Sequence, residues 1–384
     1  MSLSKTLDIK LSRILADRSC NDFILADAKD ADMAYGLSAP GQSPEHYGHE
    51  AAFRTLDEYR EQIRQIVDQG LVDIMLMSAS TSEILTIRER IFDHSPITPA
   101  IRANDTTDIW LAGAEGVYGH EPSRWFRTAT IDHALCGKNH CEPNERKLGA
   151  DLGLYSITFN NDLEHDREAL QAYKEFRIEA ETKGFRHFLE VFSPNVAGCN
   201  TPQDIPAFVN NHIVRTLAGV TEAGRPIFLK IPYYGPKAME ALARYDSRLV
   251  AGILGGSAGT TLDAFQMLAD AKKYGARVAL YGRKINHAEH QLSFVKYLRA
   301  IADSQIEPVE AVKAYHSDLR QLAIPPRLSL ENDLQRMEST DSYSGYSTTP
   351  KKKTNQKPEI PDFSKMTAAE KVQWNLDRLK RVFG

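Results

Sequence analysis

Lys230 stands in the run IFLKIPYYG, Ile227 to Gly235, with only apolar and turn residues beside it. Such a run reads as a buried strand. Because a strand alternates its faces, Phe228, Lys230 and Pro232 share one side while Leu229 and Ile231 share the other. Burial disfavours the charged form of a lysine, and the free amine can attack a carbonyl carbon to form an imine. The competing reading is a buried ion pair without chemistry, since an unpaired ammonium is costly there. The scarcity of fully buried lysines favours the chemical reading. The preceding run HFLEVFSPN repeats the device, with Phe188, Glu190 and Phe192 on one face and Leu189 and Val191 on the other. A carboxylate beside an imine-forming lysine can move protons through carbinolamine and enamine stages, or act as the lysine's counter-ion. Asp27, in ILADAKDAD, is expected to end the first strand as a third inward group, close to Lys29 and Asp30.

Two later loops have the composition of an oxyanion cradle. ILGGSAGTTLDAF supplies Gly255, Gly256, Ser257, Ala258 and Gly259 just before a helix expected near Thr260, small residues that let backbone N–H groups approach an anion. VALYGRKI adds Gly282 and Arg283, and a guanidinium offers phosphate a fixed fork of donors. A Gly-rich turn alone serves tight turns equally well, but two such loops in this order are a stronger sign. Elsewhere, CGKNHCEPNE groups Cys136, His140 and Cys141, yet the spacing matches no standard zinc pattern, so incidental cysteines are expected and no metal is assigned. Asp132 and His133 read as a hydrogen-bonded structural pair, with an acid or base at the mouth as the alternative.

These groups need strands to aim them. From about residue 20 to residue 303, short β-rich runs alternate with helical-period segments, the pattern of helices around a parallel sheet. The expected strands are DFILAD, LVDIMLMS, TPAIRA or RTATIDHA, DLGLYSITF, RHFLEVF, RPIFLKIP, RLVAGILG and ARVALYG. The helices between them carry single apolar stripes, such as Leu56, Tyr59, Ile63 and Ile66, or Phe208, Val209, Ile213, Leu217 and Val220. Eight such units predict an α/β fold, a (β/α)8 TIM barrel with an elaborated loop after an early strand. No Gly-rich fingerprint follows the first strand, which argues against a dinucleotide-binding sheet; a doubly wound sheet is the alternative fold. The predicted divisions are a barrel over 1–303, a helical extension over 304–338, a flexible linker over 339–363 and a C-terminal amphipathic helix over 364–384. In that last helix Thr367 and Glu370 form a capping-box pair, and Val372, Leu376, Leu379 and Phe383 form a stripe to dock on the barrel or on a second copy in a homo-oligomer.

Composition narrows the partners. The 384 residues are 42% hydrophobic, enough for a large core. A net charge of -4, spread over 47 basic and 51 acidic residues, asks for neither nucleic acid nor an anionic membrane, and PKKKTNQK is too short to change that. Four cysteines are too few for a disulfide scaffold, the N-terminus lacks a signal-peptide pattern, and no apolar run approaches the roughly 20 residues that span a bilayer. A cytoplasmic protein acting on a small molecule is expected.

Over residues 20 to 303 the sequence resembles the class I aldolases built on a (β/α)8 barrel, most closely tagatose-bisphosphate and related sugar-phosphate aldolases. The pieces that carry the likeness are FLEVF, FLKIPYY, GGSAGTTLDAFQMLADAKKYGARVALYGRKI and, more loosely, ILADAKDAD. The resemblance implies a metal-independent carbon–carbon lyase of carbohydrate metabolism, without a cofactor, acting on a phosphorylated substrate. It makes Lys230 the Schiff-base lysine, Glu190 and Asp27 its acidic partners, and Ser257, Gly259, Gly282 and Arg283 the phosphate-binding residues. One departure stands out: that branch has a lysine on the fourth strand, whereas GADLGLYSITFNN contains no basic residue, with Tyr155 as a candidate replacement. Loss of a catalytic partner is also how a barrel becomes a binding protein, so a catalytically silent sensor or scaffold for a sugar phosphate is the alternative function.

Overall fold

The computed structural model describes residues 4–17, 19–41, 53–110, 121–196, 202–256 and 259–337, with a few isolated positions besides. Eight strands form the central sheet: β1 (Ile24–Lys29), β2 (Ile74–Met77), β3 (Thr98–Arg102), β4 (Leu152–Thr158), β5 (Arg186–Phe192), β6 (Leu229–Lys230), β7 (Gly252–Leu254) and β8 (Val278–Tyr281). Each runs parallel to its neighbours, and β8 returns to β1 with Leu280 opposite Ala26. The last seam, β6 to β7, is closed by a parallel bridge between Ile231 and Ile253, with the Ile231 amide donating to the Gly252 carbonyl at 3.0 Å. The sheet is therefore a closed (β/α)8 barrel, and the doubly wound alternative, which needs two open edges, is excluded. Of the two candidates for the third strand, TPAIRA forms β3, whereas RTATIDHA leads into the helix Ile131–Cys136. The long β3–β4 connection also holds a small antiparallel ribbon, Asp105–Thr106 against Trp125–Phe126.

Alternation along the strands builds two cores. Ile24, Ala26 and Ala28 of β1, Leu152 and Leu154 of β4, Phe188, Phe228 and Leu280 meet inside the barrel, joined by Leu7 and Ile14 of the N-terminal helix Thr6–Ala16. Phe188 and Phe228 stack there with ring centroids 4.5 Å apart. The other faces, including Leu25, Ile101, Tyr155, Leu189 and Leu229, join the larger core that contains the helix stripes. Within residues 304–338, expected as an appended extension, the helix Pro308–Gln321 is built into this layer and buries Ala311, Val312, Tyr315 and Leu319 in it. Asp333 accepts from the Thr261 amide at 2.7 Å and pairs with His316 at 2.9 Å.

The chain divides into two compact units, residues 1–347 and 348–384. In the second, the Thr367 amide donates to the Glu370 carboxylate at 2.8 Å and the Glu370 amide to the Thr367 hydroxyl at 3.3 Å, the expected reciprocal cap. The 339–363 linker and the apolar stripe from Val372 to Phe383 lie outside the described residues. Among the described residues no helix is long and apolar enough to cross a membrane.

Candidate active site

At one level of the barrel the apolar interior gives way to charge. The layer of Ala28, Ala100, Leu154, Phe188 and Phe228 is followed, two residues on along five segments, by Asp30, Arg102, Ser156, Glu190 and Lys230. Parallel register sets Ser156 beside Glu190 and Glu190 beside Lys230. All five side chains are buried, at the C-terminal ends of their strands, where barrels of this type carry their sites. The Lys230 Nζ lies 2.6 Å from Glu190 Oε1. The other carboxylate oxygen of Glu190 accepts from Ser156 Oγ at 2.7 Å and from Arg102 Nη2 at 3.5 Å. Arg102 also donates through Nη1 to Ser156 at 3.0 Å and through Nε to Asp30 at 2.6 Å. Two cations and two carboxylates thus balance in formal charge, which makes their burial tolerable. Asn104 ties β3 to β4 above this layer, its amide group exchanging hydrogen bonds of 2.7 and 2.9 Å with the Ser156 backbone.

The two glycine-bearing loops meet the same place. Lys230, Asp30 and Ala28 line a small cavity of about 30 Å³ together with Tyr35, Gly255, Gly256, Gly282 and Arg283. A Cβ on Gly255 would stand 2.2 Å from the Tyr281 ring, and one on Gly282 would stand 2.8 Å from the Ala28 carbonyl oxygen, so only glycine lets these loops lie against the strands. The Arg283 guanidinium carbon is 5.7 Å from the Tyr35 ring centroid. Burial pushes the Tyr35 phenol above its ordinary range, with the Arg283 charge opposing. Past Arg283 and Tyr35 lies a second cavity of about 350 Å³, bordered by Ser38, Phe53, Asn286 and His287.

Several expected residues fall elsewhere. Asp27 does not face the interior: Ile24, Ala26 and Ala28 fix the inward parity of β1, which turns Asp27 and Lys29 outward. There Lys29 Nζ sits 3.0 Å from Asp27 and donates to Asn286 at 2.6 Å, a buried strut joining β1 to the short helix Arg283–Asn286. Burial raises the Asp27 carboxyl and lowers the Lys29 ammonium from their ordinary values. Tyr155 also points outward, against the rings of Tyr173 and Phe176 at 5.1 and 4.5 Å. The inward residue of β4 at this level is Ser156, and the basic side chain touching it is Arg102 from β3. Gly259, with φ +82, belongs to the start of the helix Thr261–Lys273 instead of the cavity wall. The amides of Thr260 and Thr261 at that start are already taken by Asp263 and Asp333, at 2.8 and 2.7 Å. Ser257 lies outside the described residues. Asp132 pairs with Lys183 at 3.0 Å, and the His133 ring lies 2.6 Å from the Thr130 hydroxyl.

No family model and no curated protein matches the sequence. Solved structures do match. An archaeal fructose 1,6-bisphosphate aldolase is 15% identical with a TM-score of 0.52, over 77% of this chain and 99% of its own. A Schiff-base-forming fructose-1,6-bisphosphate aldolase is 18% identical with a TM-score of 0.53, over 78% and 100%. A third, an archaeal aldolase with its catalytic Lys bound covalently to a carbinolamine intermediate, is 16% identical with a TM-score of 0.52, over 77% and 99%. The fold is that of the Schiff-base aldolases. At these identities the likeness establishes the barrel architecture alone, and nothing in it singles out a tagatose-bisphosphate branch.

Proposed function

We propose that the protein is a class I aldolase-type lyase acting on a phosphorylated keto compound through an imine on Lys230. The observation that carries the reading is the buried contact of 2.6 Å between Lys230 Nζ and Glu190 Oε1, at the barrel end where the glycine loops of β7 and β8 converge. Glu190 Oε1 takes a proton from the ammonium, and the free amine adds to the substrate carbonyl carbon to give a carbinolamine. Glu190 returns the proton to the carbinolamine hydroxyl, which leaves as water and creates an iminium. The iminium then accepts the electron pair of the breaking carbon–carbon bond as the Glu190 carboxylate takes the proton of the substrate hydroxyl, which becomes an aldehyde. Protonation of the resulting enamine on carbon, followed by hydrolysis, frees the second product and restores the lysine. Ser156 and Arg102 hold the other oxygen of Glu190, so the carboxylate keeps one face toward Nζ.

The phosphate would rest on the Gly255–Gly256 and Gly282–Arg283 loops, which border the same cavity as Lys230. A catalytically silent barrel that binds a sugar phosphate is the second reading, favoured by the lack of any basic residue on β4, the strand on which the resemblance implies a lysine. Borohydride reduction in the presence of a panel of phosphorylated ketoses separates the two. Stable mass addition mapped to Lys230, absent from Lys230→Met, supports the lyase. Tight binding of a panel member without any trapped adduct supports the sensor and overturns the lyase.

A further inference from the structure

The β3–β4 connection gathers three side chains of metal-ligand type, none of which lines the cavity beside Lys230. Cys136, the last residue of the helix Ile131–Cys136, is followed by Gly137 at φ +77, which turns the chain back. His140 turns it again at φ +60, a left-handed conformation that a non-glycine residue seldom adopts. These turns bring Cys141, and after it Glu145, back to Cys136, so that the two sulfurs and a carboxylate oxygen all lie within 4.8 Å of one another. Ligand atoms around tetrahedral zinc, with bonds of about 2.3 Å to sulfur and 2.0–2.2 Å to oxygen, stand roughly 3.5–3.8 Å apart. A contraction on the order of 1 Å completes the set.

We propose that Cys136, Cys141 and Glu145 bind one divalent ion of the zinc class, with water in the fourth position, as a staple for this loop. The loop has reason to need one. Its ends are pinned to the helix by the Gly149 and Ala150 amides, which donate to the Leu135 and Ala134 carbonyls at 2.8 and 3.0 Å, yet residues 138–148 between them are mostly exposed and contribute little to the core. A cation supplies the cross-link that apolar packing does not. Charge also fits. Two thiolates, one carboxylate and a divalent cation sum to −1, and Lys138 Nζ, 2.7 Å from Glu145, returns the group to neutrality. On binding, each thiol passes its proton to solvent and its sulfur donates a lone pair to the ion, with no change of oxidation state. Sequence spacing hides the site because its third ligand is a glutamate four residues beyond the second cysteine.

The test uses the full chain, reduced, stripped with chelator and titrated with cobalt(II). The expected result is one equivalent bound, with thiolate-to-cobalt charge transfer in the near ultraviolet that zinc abolishes by displacement. Cys136→Ser and Cys141→Ser should each lose the band, and Glu145→Gln should bind at least tenfold more weakly. Cys20 and Cys199 remain in every variant, so the loss reports on this cluster. Melting each variant in chelator confirms that it folds like the stripped wild type. Absence of a cobalt band in the folded wild type, or an undiminished band in Cys141→Ser, overturns the site. So does a Cys136–Cys141 disulfide in the purified protein whose reduction restores no metal uptake, which would make the pair a redox element.

Discussion

Lys230 and Glu190 are each buried, so each keeps the other tolerable, and the pair should be strongly coupled in stability as well as in chemistry. Lys230→Met leaves Glu190 with Ser156 and Arg102 but without its nearest cation, and a loss of about 3–5 kcal/mol is expected. Adding Glu190→Gln should recover part of that loss, because a neutral amide needs no counter-ion. Urea denaturation of the four proteins of this cycle measures the coupling; additive losses would show the contact to be energetically empty. Lys230 and Glu190 were legible in the sequence because a lone charge in an apolar alternation is conspicuous. Asp30 and Arg102 were not. Asp30 competes with Asp27 three residues earlier, and only the parity set by Ile24, Ala26 and Ala28 decides which one faces inward. Arg102 closes the run TPAIRA, where a basic residue reads as the start of a loop, and its role as partner to Ser156 depends on the β3–β4 register.

Whole strands bring these side chains to one level, and the helices fix the strands. β5, which carries Glu190, is held on its outer face by His187, whose Nε2 lies 2.8 Å from Tyr173 Oη on the helix Leu163–Lys183. Burial, assisted by the Arg177 charge, holds His187 down to about 3 from its ordinary 6.5. Between those values the unfolded chain binds a proton that the folded chain refuses, so stability falls as the pH drops from about 6.5 toward 3, by at most about 1.4 kcal/mol per pH unit. His187→Gln, which keeps a partner for the Tyr173 hydroxyl, should flatten this part of the stability curve. Parallel curves for the two proteins would show that His187 already titrates freely when folded. The β7 and β8 loops act at the same scale. Arg283→Ala should weaken a phosphorylated ligand tenfold or more, since a charge-assisted contact contributes about 1.5–3 kcal/mol, as isothermal titration would read directly. The two Gly-rich segments were visible in the sequence, but the exclusion of Gly259 was not, because Asp333, which occupies the Thr261 amide, comes from far along the chain.

At the scale of the molecule, the boundary between barrel and appendage lies later than the strand pattern suggests. Eight strands are complete at Tyr281, yet the helix Pro308–Gln321 places Ala311, Val312, Tyr315 and Leu319 in the same core as Phe265 and Phe294. Asp263 accepts from the Met337 amide at 3.2 Å, which ties the segment after that helix to the start of the Thr261–Lys273 helix. Two truncations therefore have opposite expected outcomes. Ending the chain after residue 338 removes a polar linker and the final capped segment, and the remaining barrel should keep its melting transition and its borohydride adduct. Sedimentation velocity should then show whether self-association is lost with the amphipathic stripe, the role proposed for it. Ending the chain at 303 strips Ala311, Val312, Tyr315 and Leu319 from the outer layer, each large side chain accounting for about 2–5 kcal/mol, more than a marginally stable domain can lose. That shorter protein should fail to give a cooperative transition. If it melts like the longer one, residues 304–338 are an appendage after all; if the cut after 338 also abolishes folding, the C-terminal segment belongs to the core and the proposed boundary is wrong.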